Sequence, residues 1–265
     1  MSTLPSIFIS HGGPNIVIEP SEARDYLEGL AGRIERPKAI VVVSAHFETD
    51  GVAVVTDPKP GMIYDFGGFA PELYNMVYPA PGDPALAERV LGLLAEAGLH
   101  PSAVPRRGYD HGTWTPLRLA FPDADIPVVQ VSVDPSRDAA WHYAVGRALA
   151  PLREEGVLLV GSGHITHNLR ALFPVMRGGV TADPELVRRV NAFVAWFAER
   201  FEAGDRDAIL AWRDEAPFPL DNHPTDEHLM PLFFAYGAAG PDAKAERAHA
   251  SAQLGFFAYD SYLFH

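Results

Sequence analysis

Histidines stand at the ends of three apolar segments in this chain, and imidazole can bind a metal ion or move a proton near neutral pH. His11 follows residues 7–10, and His46 follows residues 40–45. A third apolar run, residues 156–163, is followed closely by two more histidines. Because imidazole nitrogens suit Fe(II) and Zn(II), several of them brought to one place would form a metal site.

The three segments have the length and β-branched composition of buried strands, which places each histidine at the carboxyl end of a strand. In open α/β sheets, ligands bind at that edge. Helical apolar spacing recurs between the strands, in residues 21–30, 84–97, 139–152 and 184–201. The alternation predicts an α/β fold, a single domain over residues 1–265, with a central largely parallel or mixed sheet and helices on both faces.

Composition limits the kinds of partner and the kinds of site. The formal net charge of −13 argues against nucleic acid as a partner. No apolar run approaches the roughly 20 residues of a membrane helix, and the N-terminus lacks a secretory signal, so a cytoplasmic protein without a membrane partner is expected. With no cysteine among 265 residues, disulfides and thiolate chemistry are excluded. A metal would have to be held by imidazole and carboxylate groups, and the chain has 11 histidines.

Residues 57–84 form a long irregular segment rich in proline, glycine and aromatic residues. Such segments often wall a pocket, although the rings could equally pack the loop onto the core. Further along the chain, a helix is expected to begin near Pro116 and another to span residues 229–236. A last strand is expected over residues 255–262.

Five motifs together resemble the DOPA-dioxygenase branch of the class III extradiol ring-cleaving dioxygenases, the LigB type. The motifs are Ser10-His11-Gly12-Gly13-Pro14, Ser44-Ala45-His46-Phe47-Glu48-Thr49, Asp110-His111-Gly112-Thr113-Trp114, Gly161-Ser162-Gly163 with Thr166-His167-Asn168-Leu169, and His223-Pro224-Thr225-Asp226-Glu227-His228. Their order spans nearly the whole chain. The resemblance implies an α/β fold and an oxidoreductase that opens a small-molecule catechol ring beside its hydroxyls, using O2 and a non-haem divalent metal.

The resemblance implies that His11 and His46 are metal ligands and that His223 is the third. More distant extradiol enzymes supply a glutamate instead, so Glu227 is kept as the alternative third ligand. Pro224 discourages a helical conformation at His223, so the side chains of His223 and Glu227 are expected to point in different directions.

Two further histidines are expected to act on the substrate. His167 matches the acid–base histidine of the family, although it could also coordinate the metal when no substrate is bound. His111 is expected to orient substrate or oxygen, and the alternative is a hydrogen-bond donor that stabilises its loop. His164 departs from the usual family residue and is assigned no function. Gly67 stands where the family usually has an aromatic residue, which leaves the preferred catechol open.

The expected catalytic metal is Fe(II), and Zn(II) is a plausible bound metal because imidazole ligation favours zinc over ferrous iron. Two other functions use the same residues. A zinc hydrolase could combine the histidines with Glu48 and Glu227, but the chain has no His-Glu-x-x-His motif. A noncatalytic binding module of the same fold would be expected to have lost ligand histidines, whereas this chain retains them.

Overall fold

A computed structural model of the chain describes residues 3–178 and 180–265. The strands are β1 (Ser6–Ser10), β2 (Ala39–Glu48), β3 (Ala53–Val55), β4 (Ser102–Val104), β5 (Val128–Val133), β6 (Val157–Gly163), β7 (Ala245–His249), β8 (Ala252–Gln253), β9 (Phe257–Ala258) and β10 (Ser261–Phe264). Eight of them form one sheet in the order β4-β3-β5-β2-β6-β1-β10-β7, and β8 pairs with β9.

The centre of the sheet is parallel, because β5, β2, β6 and β1 pair in parallel. Antiparallel pairing begins on either side, where β3 pairs with β5 and β10 pairs with β1. The predicted α/β architecture with a mixed sheet is therefore confirmed. The strand expected over residues 255–262 is instead two shorter strands, β9 and β10.

Helices cover both faces of the sheet and form two hydrophobic cores with it. They are α1 (Glu22–Gly29), α2 (Pro84–Glu96), α3 (His111–Ala120), α4 (Ala139–Leu149), α5 (Leu169–Met176), α6 (Pro184–Ala203), α7 (Arg206–Leu210), α8 (Trp212–Glu215), α9 (Pro219–Asn222) and α10 (Met230–Ala238). Short 3-10 turns span Pro14–Val17, Leu30–Gly32, Pro71–Asn75 and Ala150–Arg153.

The expected helix start near Pro116 was wrong, since α3 begins five residues earlier at His111. Asp110 caps the helix by accepting a hydrogen bond from the backbone N–H of Thr113 at 3.0 Å. Pro116 lies inside the helix and has no N–H to bond the carbonyl of Gly112 four residues before it. That carbonyl remains free to accept a bond from elsewhere.

Two glycines let α10 lie directly against β6. A Cβ atom at Gly161 would come within 2.0 Å of the carbonyl oxygen of Pro231, and one at Gly163 within 2.1 Å of that of His228. No real side chain tolerates such a separation. This close packing brings the segment that starts α10, including His228, to the carboxyl edge of the parallel strands.

Among residues 3–178 and 180–265, no helix is both long and apolar enough to cross a membrane. The cytoplasmic location stays a prediction from the sequence.

Candidate active site

Three imidazoles meet at the carboxyl edge of the sheet: the buried His11 after β1, the half-buried His46 within the end of β2, and the buried His228 just before α10. The Nε2 atom of His46 lies 3.1 Å from Nε2 of His11 and 3.3 Å from Nε2 of His228. Nitrogen ligands at ~2.0–2.1 Å from a tetrahedral ion would be ~3.3 Å apart. The spacing therefore fits three ligands of one divalent ion.

The hydrogen-bond partner of His11 shows which of its ring nitrogens carries the proton. The Ser162 hydroxyl donates to the carbonyl oxygen of Gly112, the carbonyl that Pro116 leaves free. Its oxygen lies 3.0 Å from Nδ1 of His11 and can only accept from that ring. His11 is thus protonated on Nδ1, and its Nε2 lone pair faces the other two histidines.

Carboxylate oxygens lie beside Nδ1 of the other two imidazoles, as the Ser162 oxygen does for His11. Nδ1 of His46 lies 3.3 Å from Oδ2 of Asp65, and Nδ1 of His228 lies 2.8 Å from Oε1 of Glu227. An oxygen thus lies within 3.3 Å of each Nδ1, and the three Nε2 atoms are the ones that come together. Lone pairs this close repel one another unless a cation lies among them, and metal-binding histidines commonly have such oxygen partners. The donor set fits a non-haem divalent metal.

Burial keeps these imidazoles uncharged. Loss of solvent lowers the pKa of His11 and His228 well below the ordinary value, and the neighbouring imidazoles lower both further. Burial is also the main reason why the pKa of His46 falls to about 4, with His111 adding to the effect. A metal ligand must be a neutral imidazole, and these three are neutral at pH 7.

A polar network under β2 fixes the backbone at His46. The Ser44 hydroxyl donates to Oδ1 of buried Asp110 at 2.6 Å and accepts the His46 N–H at 3.2 Å. Arg107 donates to the His46 carbonyl oxygen at 3.0 Å and lies 2.9 Å from the other oxygen of Asp110. The same aspartate caps α3, so the positions of His46 and of the α3 start are set together.

The structure also brings His167 and His111 to this group. The ring of His167 stacks on that of His228, with centroids 3.4 Å apart and planes 11° apart. Burial lowers the pKa of His167 to about 3, helped by nearby histidines. The ring of His111 lies 4.0 Å from that of His46, and its Nδ1 is 3.0 Å from Oδ1 of Asp65.

The predicted third ligand, His223, is not brought to the group. Its Nε2 donates to the carbonyl oxygen of Ile165 at 2.9 Å, and its ring packs between Phe193 and Trp212, with centroids 5.7 Å from each. Pro224 holds His223 in an extended conformation, with φ −131° and ψ 89°, and the ring turns into the core under α6.

His228 occupies the place expected for His223, and sequence reasoning overlooked it. It stands in the same motif, immediately before the uniformly apolar helix α10. Such a helix must pack on the sheet, so its first residues lie near a sheet edge; this is the signal that could have identified His228. Oε1 of the alternative ligand, Glu227, lies 2.8 Å from Nδ1 of His228 and 3.8 Å from Nδ1 of His167, and Glu227 is not part of the group formed by His11, His46 and His228.

A cavity of about 390 Å³ opens beside the histidines. The 57–84 segment contributes Phe66 and Phe69 to its wall, whereas Tyr78 of the same segment is buried in the core. Some aromatic rings of that segment therefore wall a pocket, as predicted, and others pack the segment onto the core, which was the alternative. His164 also lines the cavity, buried against Phe257 with ring centroids 4.2 Å apart.

Comparison with known proteins decides the family. A protein-family model described as the catalytic LigB subunit of aromatic ring-opening dioxygenase matches residues 5–260. The chain belongs to the LigB family. Its resemblance to that family, predicted from five motifs, is confirmed.

Relatives of this LigB chain agree. A protein of Beta vulgaris named 4,5-DOPA dioxygenase extradiol is 41% identical, with 98% of this chain and 96% of that protein covered. A protein of the same name from Escherichia coli is 40% identical over 89% of this chain and 85% of its own length. A crystal structure of an uncharacterized Escherichia coli protein matches with a TM-score of 0.78 and 33% identity, covering 98% and 99% of the two chains.

These matches confirm that the LigB chain is an extradiol ring-opening dioxygenase, an oxidoreductase. They favour that prediction over the zinc hydrolase and the noncatalytic binding module. The enzymes of this family use a non-haem metal, which agrees with the three converging imidazoles.

Proposed function

We propose that the protein cleaves a catechol ring beside its hydroxyl groups, with O2 as co-substrate and Fe(II) held by His11, His46 and His228. One observation carries the proposal: three neutral imidazoles bring their Nε2 atoms together, and an oxygen lies within 3.3 Å of each Nδ1. This chain thereby offers three ligands and leaves other positions of the ion open to small molecules from the cavity.

Fe(II) is the metal proposed because ring opening by O2 requires redox chemistry that Zn(II) does not supply. Held by His11, His46 and His228, Fe(II) would supply the redox chemistry that the reaction of a catechol with O2 requires. Zn(II) binds imidazole sites more tightly than Fe(II), so it is expected to compete for the same residues.

We assign His167 the task of moving a proton. Its ring lines the cavity, and a neutral imidazole can accept the proton of a catechol hydroxyl. Its Nδ1 lies toward Glu227, at 3.8 Å from Oε1, which leaves Nε2 as the atom that exchanges the proton. Stacking on His228 holds the ring at the cavity without requiring it to bind the metal.

We assign His111 the task of orienting the substrate. Its backbone N–H donates to Oδ1 of Asp65 at 2.9 Å, and its Nδ1 lies 3.0 Å from the same oxygen. With Nδ1 this close to the carboxylate, Nε2 is proposed as the acceptor for a hydroxyl group of the catechol. The cavity wall formed by Phe66 and Phe69 would shield the ring of the substrate from water.

The substrate class proposed is a catechol, and the two relatives named above are called DOPA dioxygenases. The test is anaerobic reconstitution of the purified protein with Fe(II), followed by O2 uptake on a panel of catechols. Ring opening should consume O2 and produce a yellow semialdehyde, and the Zn(II)-loaded protein should do neither. Iron-loaded protein that consumes no O2 with any catechol would refute the proposal.

A further inference from the structure

Helix α5 turns its apolar face toward the cavity. Leu169, Leu172, Phe173 and Met176 are spaced by three, one and three residues, which places them on one side of the helix. All four line the cavity. In most surface helices such a stripe packs into the core, whereas here much of it faces a space that a ligand can enter.

Two of these side chains remain accessible at the rim. Phe173 is 40% exposed and Met176 is 43% exposed, both high values for large apolar residues. Phe66 and Phe69 also line the cavity, with ring centroids 5.6 Å apart. Together with the four residues of α5 they form an apolar part of the cavity wall, called the apolar trough below, in the same cavity as the histidines.

The charges near the trough suit an uncharged group better than an anion. The carboxylate at the cavity wall belongs to Asp65. Among the lining residues in the described part of the chain, none is lysine or arginine. The guanidinium of Arg177 lies 5.8 Å from the ring centroid of Phe173 but Arg177 does not line the cavity, and Arg107 forms an ion pair with Asp110.

We propose that the cavity takes catechols whose ring substituent is uncharged and apolar, and that α5 is the wall on which the substituent packs. This inference rests on the proposed function and narrows its substrate class. It separates the protein from an enzyme specialised for an amino-acid or carboxylate side chain. A carboxylate inside the trough would lose water without a lysine or arginine among the lining residues to replace it, which is costly.

Chain length of the substituent provides the first test. The iron-loaded enzyme is given catechol and its methyl, ethyl and propyl derivatives substituted para to one hydroxyl. Each buried methylene should raise kcat/KM about fourfold. Dihydroxyphenylpropionate, which carries a carboxylate on a chain of similar length, should fall at least ~10-fold below propylcatechol.

The inference is overturned if kcat/KM stays constant or falls along the alkyl series, or if dihydroxyphenylpropionate and propylcatechol have equal kcat/KM. Either result leaves the proposed function intact. Turnover of unsubstituted catechol distinguishes failure of this inference from failure of the proposed function. Without O2 uptake on any catechol, the proposed function itself fails and this inference fails with it.

Paired variants test whether α5 is the wall. Phe173→Ser should reduce the gain in kcat/KM per methylene, whereas Leu220→Ser should not, since Leu220 is 67% exposed and does not line the cavity.

Met176→Arg places a cation at the rim and should raise the ratio of kcat/KM for the propionate over propylcatechol. Val180→Arg adds the same charge at a 56% exposed residue outside the lining and should leave the ratio unchanged. Equal behaviour within either pair would overturn the assignment of α5.

Discussion

Asp65 and His46 form a contact between the long aromatic segment and the metal-ligand group, with Oδ2 of the aspartate 3.3 Å from Nδ1 of the histidine. The other oxygen of the carboxylate lies 3.0 Å from Nδ1 of His111. Burial raises the pKa of Asp65, but hydrogen bonding to His111 and the charges of His111 and His46 outweigh that effect and lower the pKa to about 2. An ionised carboxylate thus orients two imidazoles, and the neighbouring Phe66 becomes part of the cavity wall.

Asp65→Asn should weaken metal binding roughly 10–100-fold, because it replaces an ionised acceptor of the His46 Nδ1–H with a neutral amide. The measurement is a competitive titration of the apo protein with Zn(II) or Fe(II). Asp65→Glu should restore part of the affinity, and Glu72→Gln, at an exposed carboxylate of the same segment, should leave it unchanged. Equal metal affinity in Asp65→Asn and wild type would show that the contact does not orient the ligand.

His228→Ala should abolish stoichiometric metal binding, because it removes one of three converging nitrogens. His223→Ala should keep the metal but lower the free energy of unfolding by about 1–3 kcal/mol, since the buried Ile165 carbonyl oxygen loses its partner. Elemental analysis and urea denaturation of both variants give the two readouts. The opposite pattern, metal lost from His223→Ala and kept by His228→Ala, would restore His223 as the ligand.

His167→Gln should retain iron while turnover falls by roughly 10²–10⁴, because glutamine forms hydrogen bonds but cannot exchange a proton near pH 7. Single-turnover ring opening in the Fe(II)-reconstituted variant measures the rate, and metal content and catechol affinity are measured on the same sample. Iron loss in the variant would make His167 a ligand. A wild-type rate would remove it from the proton transfer.

His142, away from the site, should make the fold sensitive to acid. Its Nδ1 donates to the carbonyl oxygen of Asp138 at 2.8 Å, and its Nε2 accepts the Asp134 N–H at 3.2 Å, so protonation of Nε2 breaks a buried bond. Burial lowers its pKa to about 4, below the ordinary value of about 6.5.

The unfolded chain therefore binds a proton at His142 at higher pH than the folded protein does. The contribution of His142 to the free energy of unfolding is lost as pH falls from about 6.5 to about 4. The difference between the pKa values of His142 in the unfolded and folded states corresponds to roughly 3 kcal/mol of stability. The free energy of unfolding of the wild type minus that of His142→Gln should shrink over this window, because the site histidines are common to both proteins. A difference independent of pH would contradict the assignment.

The strand-end histidines were predictable because the information is local. A β-branched apolar run specifies a buried strand, and parallel strands deliver the residues after them to one edge. His11 and His46 reach the site for this reason, and His167 follows β6 to the same edge. The α/β class follows from the same alternation of strands and helices.

The choice between His223 and His228 depended on tertiary packing. Pro224 shows that residues on either side of it diverge, but not which side chain faces the sheet edge. That is decided by Gly163, which admits the His228 backbone against β6, and by Phe193 of α6, which receives the ring of His223. The partner of His46 is likewise non-local: Asp65 lies in an irregular segment whose position depends on contacts across the whole edge. The periodicity of the sequence predicts which face of its own strand or helix a residue occupies. The contacts of His223, His228 and Asp65 depend instead on how separate strands, helices and loops pack against one another.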